Sequence, residues 1–378
     1  MSLAQETEIL DSSPRSLDRA SDLLYQSKVV ALPTETVYGL AGNAFDPEAV
    51  RKIFKAKDRP SFDPLIVHLA TRYLTDPEGI IPALIRDGIM SESVANSMDR
   101  PVIETLMRRF WPGPLTLIVP RGPKIPNELT SHLDSVGIRM PTHPVFQAIL
   151  DRLEFPLAAP SANRFGRISP TTAKHVHDEL NGRIPAIVDG GSCQIGVEST
   201  ILKIEDGHLT LLRPGGISAS DLQKAGASKV SIARAAGQTA QAIQAPGMLD
   251  EHYAPTKPLF LIPEPFDECA DPGSFLPDSD FPSQIALLSF APIRGGSSHP
   301  LLRSLQIRKH RILSGSGDPS EAARTLYSTL RELDQDPYVD LILADLPSDH
   351  QSGLFAAIAD RLNRASRNKP LLLRSPIP

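Results

Sequence analysis

The sequence predicts an α/β protein, a twisted mixed sheet followed by a smaller Rossmann-like α/β unit. Three features of the 378-residue chain say so. Short apolar runs of strand length alternate with amphipathic stretches of helical period. Some runs are joined by helical stretches and others by short turns, which suits a mixed sheet better than a regular doubly wound one. A change of composition follows Leu222, and a second strand–helix alternation begins beyond it. At about 150 residues per domain, the length also fits two domains.

The elements follow in order. Residues 16–26 place Leu17, Ala20, Leu23 and Leu24 on one helical face. Val29-Val30-Ala31-Leu32 is a buried-strand run stopped by Pro33. Pro47 opens a helix with Val50, Ile53 and Phe54 facing inward. Residues 65–67 read as a strand, and residues 73–100 as a polar, proline-containing surface excursion. Strands follow at 115–119 and 136–140, a helix at 144–153, a strand at 156–159 and a helix at 171–180. Residues 186–188, 199–204 and 209–212 are further strands. Residues 225–245 are rich in alanine, glutamine and serine, and read as a linker ending in proline turns. Strands at 259–262, 285–288 and 339–344 and helices at 320–333 and 353–366 make the second unit. The division is 14–222, a linker at 223–257, and 258–378.

Composition narrows the function. Hydrophobic residues are 41% and charged residues 22%, an ordinary globular mix. The net charge is −5, from 39 Lys and Arg against 44 Asp and Glu, which disfavours a general nucleic-acid coat. Cys193 and Cys269 are too few for a disulfide framework or a thiolate zinc site. The first residues are acidic and polar, and no apolar run approaches membrane length. A cytoplasmic protein without membrane contact is expected.

Five polar clusters stand at strand edges before Leu222. Thr34-Glu35-Thr36 and Tyr38-Gly39 follow the first strand. Lys55, Lys57 and Arg59 alternate where a helix ends, and alternating cations in an extended segment point one way, as a polyanion requires. His68 ends the next strand. Ser161-Ala162-Asn163 and Ser169, with Arg164 and Arg167 between them, follow Ala159-Pro160. Gly196-Val197-Glu198-Ser199-Thr200 enters a strand, and Arg213 precedes a Pro-Gly turn. Each is weak alone, since turns, helix caps and dipole partners use the same residues. Together they read as one anion-binding cleft. No phosphate-binding glycine loop with its lysine, no H-E-x-x-H and no G-x-S-x-G is present. Cys193 has no histidine and acid beside it in the pattern a thiol nucleophile needs.

Val30-Ala31-Leu32-Pro33-Thr34-Glu35-Thr36-Val37-Tyr38-Gly39-Leu40, Lys55-Ala56-Lys57-Asp58-Arg59-Pro60, Pro64-Leu65-Ile66-Val67-His68, Trp111-Pro112-Gly113-Pro114-Leu115-Thr116, Arg139-Met140-Pro141, Ala159-Pro160-Ser161-Ala162-Asn163, Gly196-Val197-Glu198-Ser199-Thr200 and Leu212-Arg213-Pro214-Gly215 resemble the YrdC-type domain of threonylcarbamoyl-AMP synthases. They occur in that family's order. Pro246-Gly247-Met248, His252-Tyr253-Ala254-Pro255 and residues 353–365 resemble the linker and last helix of its long, two-domain form.

The resemblance implies a twisted α/β sheet around a large, positively lined cavity. It implies synthesis of threonylcarbamoyl-AMP from L-threonine, bicarbonate or CO2, and ATP, with release of pyrophosphate and with Mg2+ on the triphosphate. The product would pass to a separate tRNA threonylcarbamoyl transferase. Matched motif by motif, Thr34, His68, Arg139, Ala159 and Ser199 would hold threonine. Lys57, Arg59, Ser135, Ser161, Asn163, Ser169, Arg213 and Tyr253 would hold ATP, with Lys57 and Arg59 as the catalytic cations. No resident metal ligands are expected. Asp63 stands where the family often carries asparagine, and an acid beside phosphates repels them unless a cation intervenes. Leu249-Asp250-Glu251 replaces a basic, aromatic run. A double-stranded RNA-binding module without catalysis is the alternative, and a weak contact with tRNA or double-stranded RNA is a further expectation. Carbamoyltransferases with a YrdC-like unit carry zinc-finger cysteines that this chain lacks.

Overall fold

The computed structural model describes residues 6–225, 230–232, 245–246, 252–262, 265–266, 284–294, 307–347, 349 and 353–366. The chain divides into two units, Met1–Phe165 with Ser169–Leu249, and Gly166–Ile168 with Asp250–Pro378. The linker stretches 226–229, 233–244 and 247–251, with Asp250, lie outside the described residues, as does Cys269.

In the first unit the strands are β1 (Glu8–Leu10), β2 (Val30–Leu32), β3 (Gly39–Asn43), β4 (Ile66–His68), β5 (Leu115–Pro120), β6 (Ser135–Arg139), β7 (Leu157–Ala158), β8 (Ala186–Val188), β9 (Thr200–Glu205), β10 (His208–Arg213) and β11 (Val230–Ile232). They form one 11-stranded sheet in the order β1-β8-β2-β3-β7-β4-β6-β5-β9-β10-β11. Parallel pairs such as β4–β6 and β5–β9 alternate with antiparallel ones such as β5–β6 and β9–β10. The sheet is therefore mixed, as the varied connections predict.

Both faces are covered. Helices Pro14–Tyr25 and Pro144–Leu150 bury Leu17, Leu24, Phe146 and Ile149 against Val30 and Leu32. Each opens with a proline in its first turn, where the missing N–H costs nothing. The opposite core holds Ala31, Leu40, Ile53, Val67, Leu117 and Ile138. Val30 and Leu32 on one side and Ala31 on the other are the two-residue period of a strand. A smaller apolar group, Ile66, Ile118, Ile201, Leu212 and Ala245, stands apart from both cores.

Several expectations need correction. Residues 73–100 are not a surface excursion. They fold as a 3-10 turn at Thr71–Thr75, a helix at Ile80–Arg86 and a second 3-10 turn at Glu92–Asn96, and they bury Ile80, Ile81, Leu84, Ile89, Met90 and Val94 in the main core. Asp99 then accepts backbone N–H bonds from Asp206 (3.0 Å) and Gly207 (2.7 Å), fixing the β9–β10 turn. A helix at Arg100–Phe110 and strand β1 went unread. Within the expected linker, β11 extends the sheet by pairing in parallel with β10.

The second unit holds β12 (Leu259–Ile262), β13 (Ile285–Ser289), β14 (Ile307–Ile312) and β15 (Leu341–Asp345), all parallel, in the order β12-β15-β13-β14. Only β14 was not anticipated; its polar sequence, Ile307-Arg308-Lys309-His310-Arg311-Ile312, hides an edge strand. Helices Pro319–Gln335 and Gly353–Ser366 complete the Rossmann-like layering. At the strand ends Asp345 accepts N–H bonds from Phe266 (3.1 Å) and Phe290 (2.7 Å). No helix among the described residues is long and apolar enough to cross a membrane.

Candidate active site

The register of the first sheet brings the sequence clusters together. His68 ends β4 directly opposite Arg139 at the end of β6, and Arg139 faces Thr116 on β5. Leu115 in turn pairs with Thr200, which places Ser199 beside Thr116. Their hydroxyls lie 2.8 Å apart. Arg213, at the end of β10, reaches back to the same serine, donating from Nη2 to Ser199 Oγ and from Nε to Ser199 O, both at 3.1 Å. Its Nη1 donates to Pro246 O at 3.1 Å. The close approach depends on Gly215, because a Cβ there would sit 2.3 Å from Thr200 N and 2.5 Å from Glu198 O. Neither backbone atom can yield as a flexible side chain would.

The loop after β2 closes the other side. Thr34 Oγ1 accepts from the backbone N–H of Thr36 (3.1 Å) and Val37 (3.2 Å), donates to Val37 O (2.6 Å) and lies 2.8 Å from Thr36 Oγ1. This turn holds Glu35 inward, where it is 4% exposed. Arg139 donates through Nη2 to Glu35 Oε1 at 2.6 Å and through Nη1 to Thr36 Oγ1 at 2.9 Å. Ile195 N–H donates to Glu35 O (2.8 Å) and Gly196 N–H to Thr36 O (3.2 Å), tying the loop before Ser199 to the same turn.

His68 is buried. Its Nδ1 lies 3.2 Å from Ile66 O, and a carbonyl oxygen only accepts, so Nδ1 carries the hydrogen and Nε2 the lone pair. Burial, then the adjacent Arg139 charge, pulls its pKa down to about 3. The imidazole is neutral at physiological pH.

Lys57 and Arg59 correct the sequence reading in detail. They do not share an extended segment. Lys57 is the last residue of the helix Pro47–Lys57, and Asp58 ends it in the left-handed region at φ 52°. The turn sends the two cations to different partners. Lys57 Nζ donates to the backbone carbonyls of Ser161 and Asn163. Burial, then the Arg59 charge, pulls its pKa well below the usual lysine range. Arg59 donates through Nε to Asp63 O (3.0 Å) and through Nη2 to Pro64 O (2.9 Å), and lies 2.8 Å from Asp63 Oδ2. Arg59 is thus the cation that intervenes for Asp63, whose carboxyl burial pushes up. Lys55 is exposed.

Ala159 packs 3.1 Å from the Cβ that Gly39 lacks, and its N–H donates to Ile66 O. Ser161 bridges to Gly39, Asn163 Nδ2 donates to Arg164 O (2.7 Å), and Ser169 Oγ donates to the buried Glu198 at 2.6 Å. Ser135 begins β6 and Arg139 ends it, about 13 Å apart at strand rise. Ser135 lines a cavity of about 510 Å³ with Ser93, Ser97 and Lys203. Tyr253 belongs to the second unit, 1% exposed, stacked on Tyr327 (5.9 Å) with Arg361 5.2 Å over its ring. Cys193 is a buried thiol pushed up to about 12, an inert form.

The site therefore gathers buried cations, small hydroxyls and a neutral histidine. That arrangement can position and neutralise an anionic substrate without forming a covalent intermediate. Glu35, Thr36, Thr116 and Glu198 were not among the expected ligands. Glu35 and Thr36 were visible inside the Thr-Glu-Thr cluster and Thr116 at the end of the Trp-Pro-Gly-Pro-Leu-Thr motif, whereas the place of Thr116 beside Ser199 comes from the β5–β6–β9 register.

Comparison with known proteins identifies the family. A Sua5/YciO/YrdC family model, described as telomere recombination, matches residues 22–215. A second, described as the threonylcarbamoyl-AMP synthase C-terminal domain, matches residues 217–367. The chain belongs to the threonylcarbamoyl-AMP synthase family. It is 37% identical to the threonylcarbamoyl-AMP synthase of Bacillus subtilis over 369 residues, 95% of each chain. It is 34% identical to that of Pyrococcus abyssi, covering 92% of this chain and 93% of the relative. The crystal structure of P. abyssi Sua5 complexed with L-threonine superposes with a TM-score of 0.75 at 29% identity, covering 97% and 99% of the two chains. The likeness spans both units of the synthase architecture, not the YrdC-type part alone.

Proposed function

We propose that this chain makes threonylcarbamoyl-AMP from L-threonine, bicarbonate or CO2, and ATP, releasing pyrophosphate for tRNA modification. The observation that carries the reading is Ser199. Its hydroxyl touches Thr116, the register partner of Arg139, and also Arg213. The residues expected to hold threonine (Thr34, His68, Arg139, Ala159, Ser199) and, within the same unit, Arg213 of the set expected to hold ATP would meet at that point.

The chemistry needs little more. The threonine amine adds to CO2, forming an N–C bond and losing a proton to give a carbamate. A carbamate oxygen then attacks the α-phosphorus in line, and the bond to the β-phosphate breaks with its electron pair leaving on pyrophosphate. Lys57, Arg59 and Arg213 would neutralise the phosphates as charge shifts to the leaving group. His68, held neutral, adds no competing charge near the amine. Mg2+ fits as an ion carried on the triphosphate. Among the described residues no group of three or more His, Cys, Asp or Glu side chains could hold a metal. The product is labile and would be handed to a separate transferase that modifies tRNA.

Incubation with ATP, threonine and 13C-bicarbonate tests this reading. The expected product is an adenylate carrying both the threonine and one 13C atom. An adenylate lacking the labelled carbon, or ADP as the only nucleotide product, would overturn it.

A further inference from the structure

Arg139 is held more tightly than a substrate-binding arginine needs to be. Its side chain and that of Glu35 are each 5% exposed. Nη2 is taken by Glu35 Oε1 at 2.6 Å and Nη1 by Thr36 Oγ1 at 2.9 Å. Glu35 is fixed in turn, because its Oε2 accepts the N–H of Thr142 at 3.2 Å and its carbonyl accepts from Ile195 at 2.8 Å. One carboxylate therefore joins the head of Arg139 to the loop that follows β6. The third guanidinium nitrogen is different. Arg139 Nε is buried and has no hydrogen-bond partner. A buried N–H without an acceptor is costly, and native proteins seldom leave one without a reason.

We propose that Glu35 is a positioning residue for the amino-acid substrate: with Thr36 it takes one N–H of each terminal nitrogen of Arg139 and turns the guanidinium so that Nε–H, the donor on the nitrogen left without a partner, takes the substrate carboxylate. The missing acceptor arrives with the ligand. The geometry explains why a carboxylate stands beside the cation expected to hold a carboxylate. Glu35 does not compete for the substrate's donor; it fixes the orientation in which Nε–H is presented. The inference rests on the site reading proposed above, in which Arg139 faces threonine.

The test is threonine binding to the full chain by calorimetry, with L-threoninamide, which lacks the carboxylate, as the second probe. Glu35→Gln is expected to weaken threonine binding about 10- to 100-fold, the value of a charge-assisted hydrogen bond. Threoninamide, already weak, should not change further. The loss should appear in KM for threonine rather than in kcat, and Glu35→Asp should recover part of it. In an Arg139→Gln background, Glu35→Gln should add almost nothing. An undiminished Glu35→Gln effect in that background, or an equal effect on threoninamide, would overturn the proposal. If Arg139→Gln alone leaves threonine binding intact, the site reading fails at Arg139 itself and the positioning role with it. Should Glu35→Gln not fold, Thr36→Val removes the Nη1 acceptor together with the 2.8 Å contact to Thr34 Oγ1. It should still weaken threonine binding several-fold, and no change there would count against the proposal.

Discussion

Arg213 grips Ser199 twice, by side chain and by backbone, each at 3.1 Å. The two residues lie on neighbouring antiparallel strand ends and are both buried. A cation expected for the nucleotide is thereby fastened to a hydroxyl expected for threonine. Arg213→Ala should raise KM for ATP roughly 10- to 100-fold, as for loss of charged hydrogen bonds. Because Ser199 loses one of its two side-chain partners, KM for threonine should rise as well. Steady-state kinetics with each substrate varied in turn would check this, and an effect on ATP alone would uncouple the pair.

Lys57 and Lys55 separate the helix end into a buried and a solvated cation. Lys57 is 1% exposed and tied to Ser161 and Asn163, whereas Lys55 is exposed. Lys57→Met should weaken nucleotide binding about 10- to 100-fold. Lys55→Ala should change it by less than about twofold, as for most surface substitutions. Titration with a non-hydrolysable ATP analogue would compare them.

His68 predicts a pH dependence of stability. Its folded pKa of about 3 lies below the ordinary 6.5. As pH falls through about 6.5 the unfolded chain takes up a proton that the folded chain refuses, so stability is lost between that pH and about 3. From pH 7 to pH 5 the loss from this group is about 2 kcal/mol. Urea unfolding of the native protein and of His68→Gln at both pH values should show a shallower dependence in the variant. Equal slopes would mean that His68 protonates freely in the folded state.

Asp99 tests the role of residues 73–100. Asp99→Ala would leave the N–H groups of Asp206 and Gly207 without their acceptor, at a cost of about 1–3 kcal/mol. Denaturation midpoints should fall while KM for threonine and ATP stays unchanged.

Much of this was legible in the sequence. Motif residues at strand ends, such as Thr34, His68, Arg139 and Arg213, were readable because strand runs are short and proline or glycine marks where they stop. The core role of residues 73–100 was hidden because its apolar residues fall in one short helix and two 3-10 turns. No single period runs through them. The opposite fates of Lys57 and Arg59 turn on one left-handed residue, Asp58, which a polar sequence does not announce. Thr116 stood in a motif, but its contact with Ser199 needed the register across β5, β6 and β9, a long-range property that local pattern does not carry. Tyr253 was recognised by its motif, yet its stacking on Tyr327 comes from a helix more than sixty residues on, at Pro319–Gln335.

Pyrophosphate release under omission of each substrate tests the central claim most directly. With ATP and Mg2+ present, pyrophosphate should appear only when threonine and bicarbonate are both supplied, because the carbamate must exist before the α-phosphorus can be attacked. Pyrophosphate formed equally fast without threonine or without bicarbonate would contradict the account.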